Sequence, residues 1–295
     1  MHYVITGGAG NISKPLALQL LANKHQVTVI GRSEANLKEL TDAGAIAAIG
    51  SVEDVDFLTK TFTGADAVYT MVPPKWDAAD WKGYIAGIGK NFATAINASA
   101  VKYVVNLSSI GAHLELGCGP VSGLYHVEHS LNELTGVAIK HLRPGFFYTN
   151  FLANIGMIKH MHIIGGNYGD NSLLPLVYPG DIATAAAEEL INLSFTGNSI
   201  RYVISDEKTT TEVAAILGSA IGNPALPWVN FTDEQTEAGM LQAGLSEEVA
   251  KNYAEMGNAM RTGAMGAEYN QVPKPIFGKT NLEEFAKTFA IIYNS

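Results

Sequence analysis

Apolar positions along the chain fall into short β-branched runs that alternate with stretches of helical spacing. The first run, Tyr3-Val4-Ile5, meets Gly7, Gly8 and Gly10 and then the periodic segment "NISKPLALQLL", the pattern of a strand, a tight turn and a helix. "QVTVIGRS" predicts a second strand that stops at Gly31, and "EANLKELTDAG" a helix ended by glycine. "AIAAIGSV" reads as a weaker third strand and "GADAVYTMVPP" as a fourth, halted by the double proline. "GYIAGIGKNFATAINASA" then predicts a helix, "VKYVVNLSSIGA" a strong fifth strand, "SLNELTG" a helix, and "VAIKHLRPGFF" a sixth strand broken at Pro144.

Parallel neighbours need crossover connections, so this order predicts an α/β fold: a Rossmann-type doubly wound parallel sheet with helices on both faces. After Phe147 the alternation fails. Loops rich in Gly and Asn around 165–172 precede the helix "DIATAAAEELINL"; "IRYVIS", "TTTEVAAILGSAIG" and acidic amphipathic helices from Thr232 to Met260 follow. The expectation is a nucleotide-binding domain over 1–150 and a smaller, closely fused C-terminal α/β substrate or partner lobe over 151–295. Residues 200–205 are open to return to the main sheet.

Composition narrows the function. Hydrophobic residues make up 47% of 295 and charged residues 16%, the balance of an ordinary globular protein. The net charge of −9, with no dense Lys/Arg stripe, argues against direct nucleic-acid binding. A single cysteine, Cys118, excludes a disulfide framework. With no basic leader and no long apolar run, the expectation is a cytoplasmic protein without a membrane anchor.

The glycine turn supplies the candidate chemistry. Backbone N–H groups at a helix N-terminus, aided by the peptide dipoles, hold a diphosphate when no side chain intervenes. Gly7 and Gly10 allow the turn and the close approach. The position of the usual third glycine is Ser13, one turn into the helix, where it should cost packing and not ligand contact. At the end of the second strand an acidic residue would mark NAD(H); Arg32 and Ser33 stand there instead. A guanidinium and a hydroxyl suit the 2′-phosphate of NADP(H), which makes NAD(H) the lesser expectation.

"ITGGAGNI", "AVYTMVPP", "NLSSIGAH", "LRPGFFYTNF", "PGDIATAAAEEL" and "EVAAILGSAIG", in this order, resemble the NmrA-like group of atypical short-chain dehydrogenases/reductases. That group contains NADPH-dependent quinone and triphenylmethane reductases and redox-sensing regulators. The resemblance implies that Gly7, Gly10, Asn11 and Ile12 line the diphosphate and that Arg32 meets the adenosine phosphate. It places Val72 and Pro73 along the cofactor, and Ser108 and Ser109 near the nicotinamide ribose. Pro144, Gly145 and Phe146 would close over the nicotinamide, while Phe146, Phe147, Tyr148 and Asn150 reach toward substrate.

The sequence departs from the wider superfamily at its proton-transfer pair. A Tyr-x-x-x-Lys helix is expected, and "GPVSGLYHVEHSLNEL" offers Tyr125 with His129 four residues on. Tyr125, His126 and His129 are the candidate proton donors. His160 and His162 stand at strand spacing, too few to indicate a metal site. Trp76 and Trp81 are either lid or core anchors, and Cys118 is a candidate redox-sensing thiol. The sequence thus predicts an NADPH-dependent reductase of a quinone or similar conjugated electron acceptor. Its rival is a non-catalytic NADP(H) sensor acting through a protein partner, and a homo-oligomer is left open.

Overall fold

The computed structural model describes residues 1–295. Strict alternation runs through β1 (His2–Ile5), α1 (Ser13–Ala22), β2 (Gln26–Gly31), α2 (Glu34–Asp42), β3 (Ile46–Ile49) and α3 (Val55–Phe62). It continues through β4 (Ala67–Thr70), α4 (Trp81–Ser99), β5 (Tyr103–Leu107), α5 (Pro120–Asn132) and β6 (Ala138–Pro144). Next come β7 (Phe146–Phe147), α6 (Ile155–Met161), β8 (Ile164–Gly166), β9 (Leu173–Val177), α7 (Pro179–Asn192) and β10 (Asn198–Val203). The chain ends with β11 (Asp206–Thr209), α8 (Thr210–Ala220), β12 (Trp228–Asn230), α9 (Asp233–Gln242), α10 (Glu247–Arg261) and α11 (Leu282–Asn294).

Seven strands form one parallel sheet in the order β10-β6-β5-β4-β1-β2-β3. The chain winds outward from β1 to β3, then crosses back and winds the other way from β4. The switch falls between β1 and β4, the place where an open parallel sheet parts its crossover loops and offers a ligand crevice. Alternate residues of each strand feed two cores. Tyr3, Ile5 and Leu142 pack under α1 and α7, while Val4, Val68, Val104 and Ile139 pack under α3, α4 and α5. Burial on both faces explains why the strands read as continuous apolar runs.

Short polar caps decide where several helices begin. Asp54 accepts from the Phe57 N–H to start α3, and Asp80 from the Gly83 N–H to start α4. The helix α5 begins at Pro120, ten residues ahead of its expected start, because Pro is suited to a first helical turn.

The boundary expected at residue 150 is crossed twice by the later chain. β10 returns as the edge strand beside β6, in register from Asn198 opposite Ile139 to Val203 opposite Pro144, and α7 packs on α1. The remainder builds a smaller layer of β11-β9-β7, α8 and α11 around Phe146, Tyr148, Leu176, Val213 and Phe285.

A buried polar seam runs along β5 and β6 under α5. Arg143 donates from Nε and Nη2 to both carboxylate oxygens of Glu128, at 2.9 and 2.7 Å, and the Ser108 hydroxyl donates to the same carboxylate at 2.5 Å. Arg143 also meets Glu268 of the C-terminal segment. Burial works against the Arg143 charge, but the bonds to Glu128 outweigh it and raise its pKa. Next to this pair His141 bridges Asn106 and Asn132, and burial pushes its pKa down to about 4, so it is neutral near pH 7. Removing one partner of a buried pair strands the other charge. Glu128→Ala should therefore cost about 3 kcal/mol in urea unfolding; a loss below about 1 kcal/mol would show that Glu268 alone satisfies Arg143.

Candidate cofactor site

The site begins where β1 leaves the sheet. The Thr6 N–H donates to the Tyr69 carbonyl at 3.0 Å, and the Thr6 hydroxyl accepts from the Met71 N–H at 2.8 Å, which fastens the exits of β1 and β4 together. The chain then has to turn at once. Gly7 takes φ +68°, in the left-handed region, and a Cβ there would stand 2.5 Å from the Met71 sulfur. Gly8 is pressed against β2: its N–H donates to the Ile30 carbonyl, and a Cβ would meet Leu37 at 2.9 Å. Gly10 then lets α1 start, with the Lys14 N–H donating to its carbonyl.

Ser13 is fully buried at the interface of α1 and the sheet, beside the Tyr69 phenol. Burial raises the Tyr69 pKa, and the Ser13 and Tyr69 hydroxyls are both buried without a hydrogen-bond partner. The serine therefore occupies a packing position, as its place in the helix implied.

A cleft of about 680 Å³ opens at these strand ends, with Gly7, Gly10, Arg32, Glu53, Pro73 and Tyr84 in its walls. Arg32 is exposed and takes part in none of the protein's ion pairs. Three of the expected cofactor contacts thus meet a guanidinium free to bind an anion. A larger cavity, about 1070 Å³, lies between α7 and the segment 268–279. It contains none of the expected cofactor residues.

Other expected residues are scattered. Asn11 is exposed ahead of α1, whereas Ile12 is buried in the core. Ser33 holds the N-cap position of α2 without capping it. Val72 packs partly against the core under α4. Ser108 is committed to Glu128, and the Ser109 hydroxyl donates to the Ile110 carbonyl. Pro144 ends β6, and Gly145 passes so near β9 that a Cβ would stand 2.4 Å from the Pro175 carbonyl oxygen.

The aromatic run after β6 is corrected by its burial. Phe146 packs on Phe151 and Tyr168, and Tyr148 is fully buried against Phe285, with its hydroxyl donating to the Thr280 carbonyl. These rings form the core of the smaller layer and do not reach outward to a substrate. Phe147 is half-buried, and Asn150 alone of the group is exposed.

The structure does not bring Tyr125, His126 and His129 to the cleft. Tyr125 and His129 line a separate cavity of about 410 Å³ between α5 and β10, with ring centroids 3.8 Å apart. Asn132 in the same cavity contacts Asn198, the first residue of β10, so this part of α5 descends toward the amino ends of the strands. His126 stands edge-on to Tyr125. The expected strand through His160 and His162 is instead the helix α6, ended by His162 in the left-handed region. Trp81 is a core anchor, whereas Trp76 is half-exposed on the cleft wall and packs on Trp81 and Tyr253. Cys118 is wholly buried, and burial pushes its thiol up to about 12, so it is an unreactive core residue.

Sequence reasoning passed over Glu53, Met71, Lys75 and Tyr84, all in the cleft walls. Their shared signal is position: each follows or faces the carboxyl end of a parallel strand.

A family model described as NAD(P)H-binding matches residues 7–129, from the glycine turn into α5. An uncharacterized Schizosaccharomyces pombe protein is 40% identical over 68 residues, 23% of this chain and 23% of that one. A proposed oxidoreductase of Mycobacterium tuberculosis is 27% identical over 131 residues, 41% of this chain and 57% of that one. The matches thus span from about a quarter to little over half of these relatives' lengths. Solved structures match almost throughout. The NADPH-dependent quinone oxidoreductase QOR2 of Escherichia coli, complexed with NADPH, is 20% identical with a TM-score of 0.79, over 97% of this chain and 99% of that one. The triphenylmethane reductase of Citrobacter sp., complexed with NADP(H), is 19% identical with a TM-score of 0.80, over 98% and 100%. NmrA, a negative transcriptional regulator in complex with NADP, is 14% identical with a TM-score of 0.76, over 99% and 96%. Residues 7–129 thus match an NAD(P)H-binding family model, and the whole chain shares its fold with a quinone reductase, a dye reductase and NmrA.

Proposed function

We propose that the protein is an NADPH-dependent oxidoreductase that passes a hydride to a quinone or similar conjugated acceptor without a Tyr-x-x-x-Lys pair. The observation that carries this reading is Arg32, free of any carboxylate, in the cleft that opens beside the Gly7–Gly10 turn. No acidic residue ends β2 to accept from a ribose 2′-hydroxyl, which favours NADP(H) over NAD(H). The QOR2 and triphenylmethane reductase likenesses support a small, flat acceptor.

The bound nicotinamide would supply the hydride. The chain's part is to bind and to orient: amides at the start of α1 hold the diphosphate, and Arg32 grips the adenosine phosphate. On this reading none of the four expected hydroxyl and imidazole groups delivers a proton to the acceptor. Ser108 gives its hydrogen bond to Glu128, Ser109 to its own loop, and Tyr125 and His129 stand in another cavity. A quinone tolerates this, because the phenolate it becomes has a conjugate acid with a pKa of about 10 and takes its proton from water. Oxidation of an unactivated alcohol needs a positioned base, a part that the Tyr-x-x-x-Lys pair plays in the wider superfamily and for which the sequence offers Tyr125 and His129 instead.

The lack of a Tyr-x-x-x-Lys motif also favours a second reading, a non-catalytic NADP(H) sensor that works through a protein partner. Its signal would come from the nucleotide, since the only thiol is buried.

Turnover separates the two. With NADPH and a panel of quinones, loss of the nicotinamide absorbance band should depend on acceptor, and Tyr125→Phe and His129→Ala should keep the rate within about twofold. A fall above about a hundredfold in either variant would restore those residues as proton donors. Tight binding of one nucleotide form with no turnover on any acceptor would favour the sensor. In either case Arg32→Asp should weaken NADPH by at least about tenfold and move preference toward NADH. Unchanged selectivity would contradict the phosphate assignment.

A further inference from the structure

The cleft wall carries more charge than Arg32 alone. Lys75, on the loop after β4, faces Glu53 on the loop after β3, with Nζ 3.4 Å from Oε1. The same ammonium lies 5.0 Å from the ring centroid of Tyr84. Asp77 also lines the cleft. The Tyr84 hydroxyl registers this crowding: its pKa is raised first by burial, then by Glu53, with Arg32 opposing and Asp77 adding. Arg32, Glu53 and Asp77 therefore act on one small volume, into which Lys75 also reaches.

Lys75 and Glu53 are partly exposed, at 37% and 51%, and their contact is long, so the pair is weak and easily exchanged. A phosphate monoester near pH 7 is a better partner than one carboxylate at that distance. It carries about −1.5 to −2 charge and three acceptor oxygens. Arg32 in bidentate geometry satisfies two of them, which leaves one oxygen and most of one charge. Lys75 has three donors on a flexible stem and can turn to that oxygen. Glu53 would repel the phosphate, yet it is an acceptor suited to the ribose hydroxyl of NAD(H).

We propose that Lys75 is a second ligand of the adenosine 2′-phosphate, surrendered by Glu53 when NADP(H) binds, and that the Glu53–Lys75 pair sets coenzyme selectivity together with Arg32. The exchange is one of charge partners and makes or breaks no covalent bond. The inference rests on the cleft being an NADP(H) site.

Its test is the ratio of NADPH to NADH affinity, read by nucleotide titration on the full chain for the wild type, Lys75→Gln, Lys75→Arg and Glu53→Gln. Lys75→Gln should lower the ratio about tenfold through NADPH alone, and Lys75→Arg should restore most of it. Glu53→Gln should raise the ratio by about threefold to tenfold, because it frees Lys75 and removes a repelling charge. Both positions are solvent-accessible, so thermal midpoints should stay near that of the wild type and serve as the folding control. If the wild type prefers NADPH and neither Lys75→Gln nor Glu53→Gln moves the ratio, this inference fails and the reading of the cleft stands. If the wild type binds neither nucleotide, both fail.

Discussion

The join between the ends of β1 and β4 is the constraint on which the rest depends. Thr6 ties the two strands with a backbone bond to Tyr69 and a side-chain bond from Met71, at the one place where the sheet's winding reverses. Beyond it the chain must leave the sheet, turn over β2 and start a helix within a few residues. Side chains at Gly7 or Gly8 would collide with Met71 or Leu37, so the turn has only backbone to offer. On the proposed reading that geometry makes the start of α1 the diphosphate site, and the loops after β2, β3 and β4 line the same cleft.

The far side of the sheet is built for a different purpose. Glu128, Arg143 and Ser108 form a buried charge seam, and Glu268 brings the C-terminal segment to it. Ser108 at the end of β5 is consumed, with Glu128 and Arg143, in holding α5, β5, β6 and that segment together. Such a seam costs desolvation and requires one mutual placement of its elements. On the proposed reading it leaves the reaction to the nucleotide, which suits an acceptor with a low demand for a proton.

Much of the fold was legible because its strands are short, apolar and bounded by glycine or proline, and its longer helices have clear periodicity. The helix α3 was hidden by its eight-residue length, with Asp54 its clearest mark. The strands β7, β8, β11 and β12 have two to four residues each, too few to show alternation. Gly7, Gly10 and Arg32 could be named in advance because strand ends locate them. Glu53, Lys75 and Tyr84 could not, since loops from separate crossovers meet only in space. Tyr148 misled for a physical reason: an aromatic run after a strand fits a substrate mouth and a second core equally well, and only packing against Phe285 and Thr280 distinguishes them.

A crystal structure of the protein grown with NADP⁺ tests the central claim most directly. The account predicts the diphosphate against the backbone amides between Gly7 and Ile12, with the adenosine 2′-phosphate in hydrogen-bond contact with Arg32. A nucleotide ordered in another cavity, or one whose 2′-phosphate turns away from Arg32 into solvent, would contradict it.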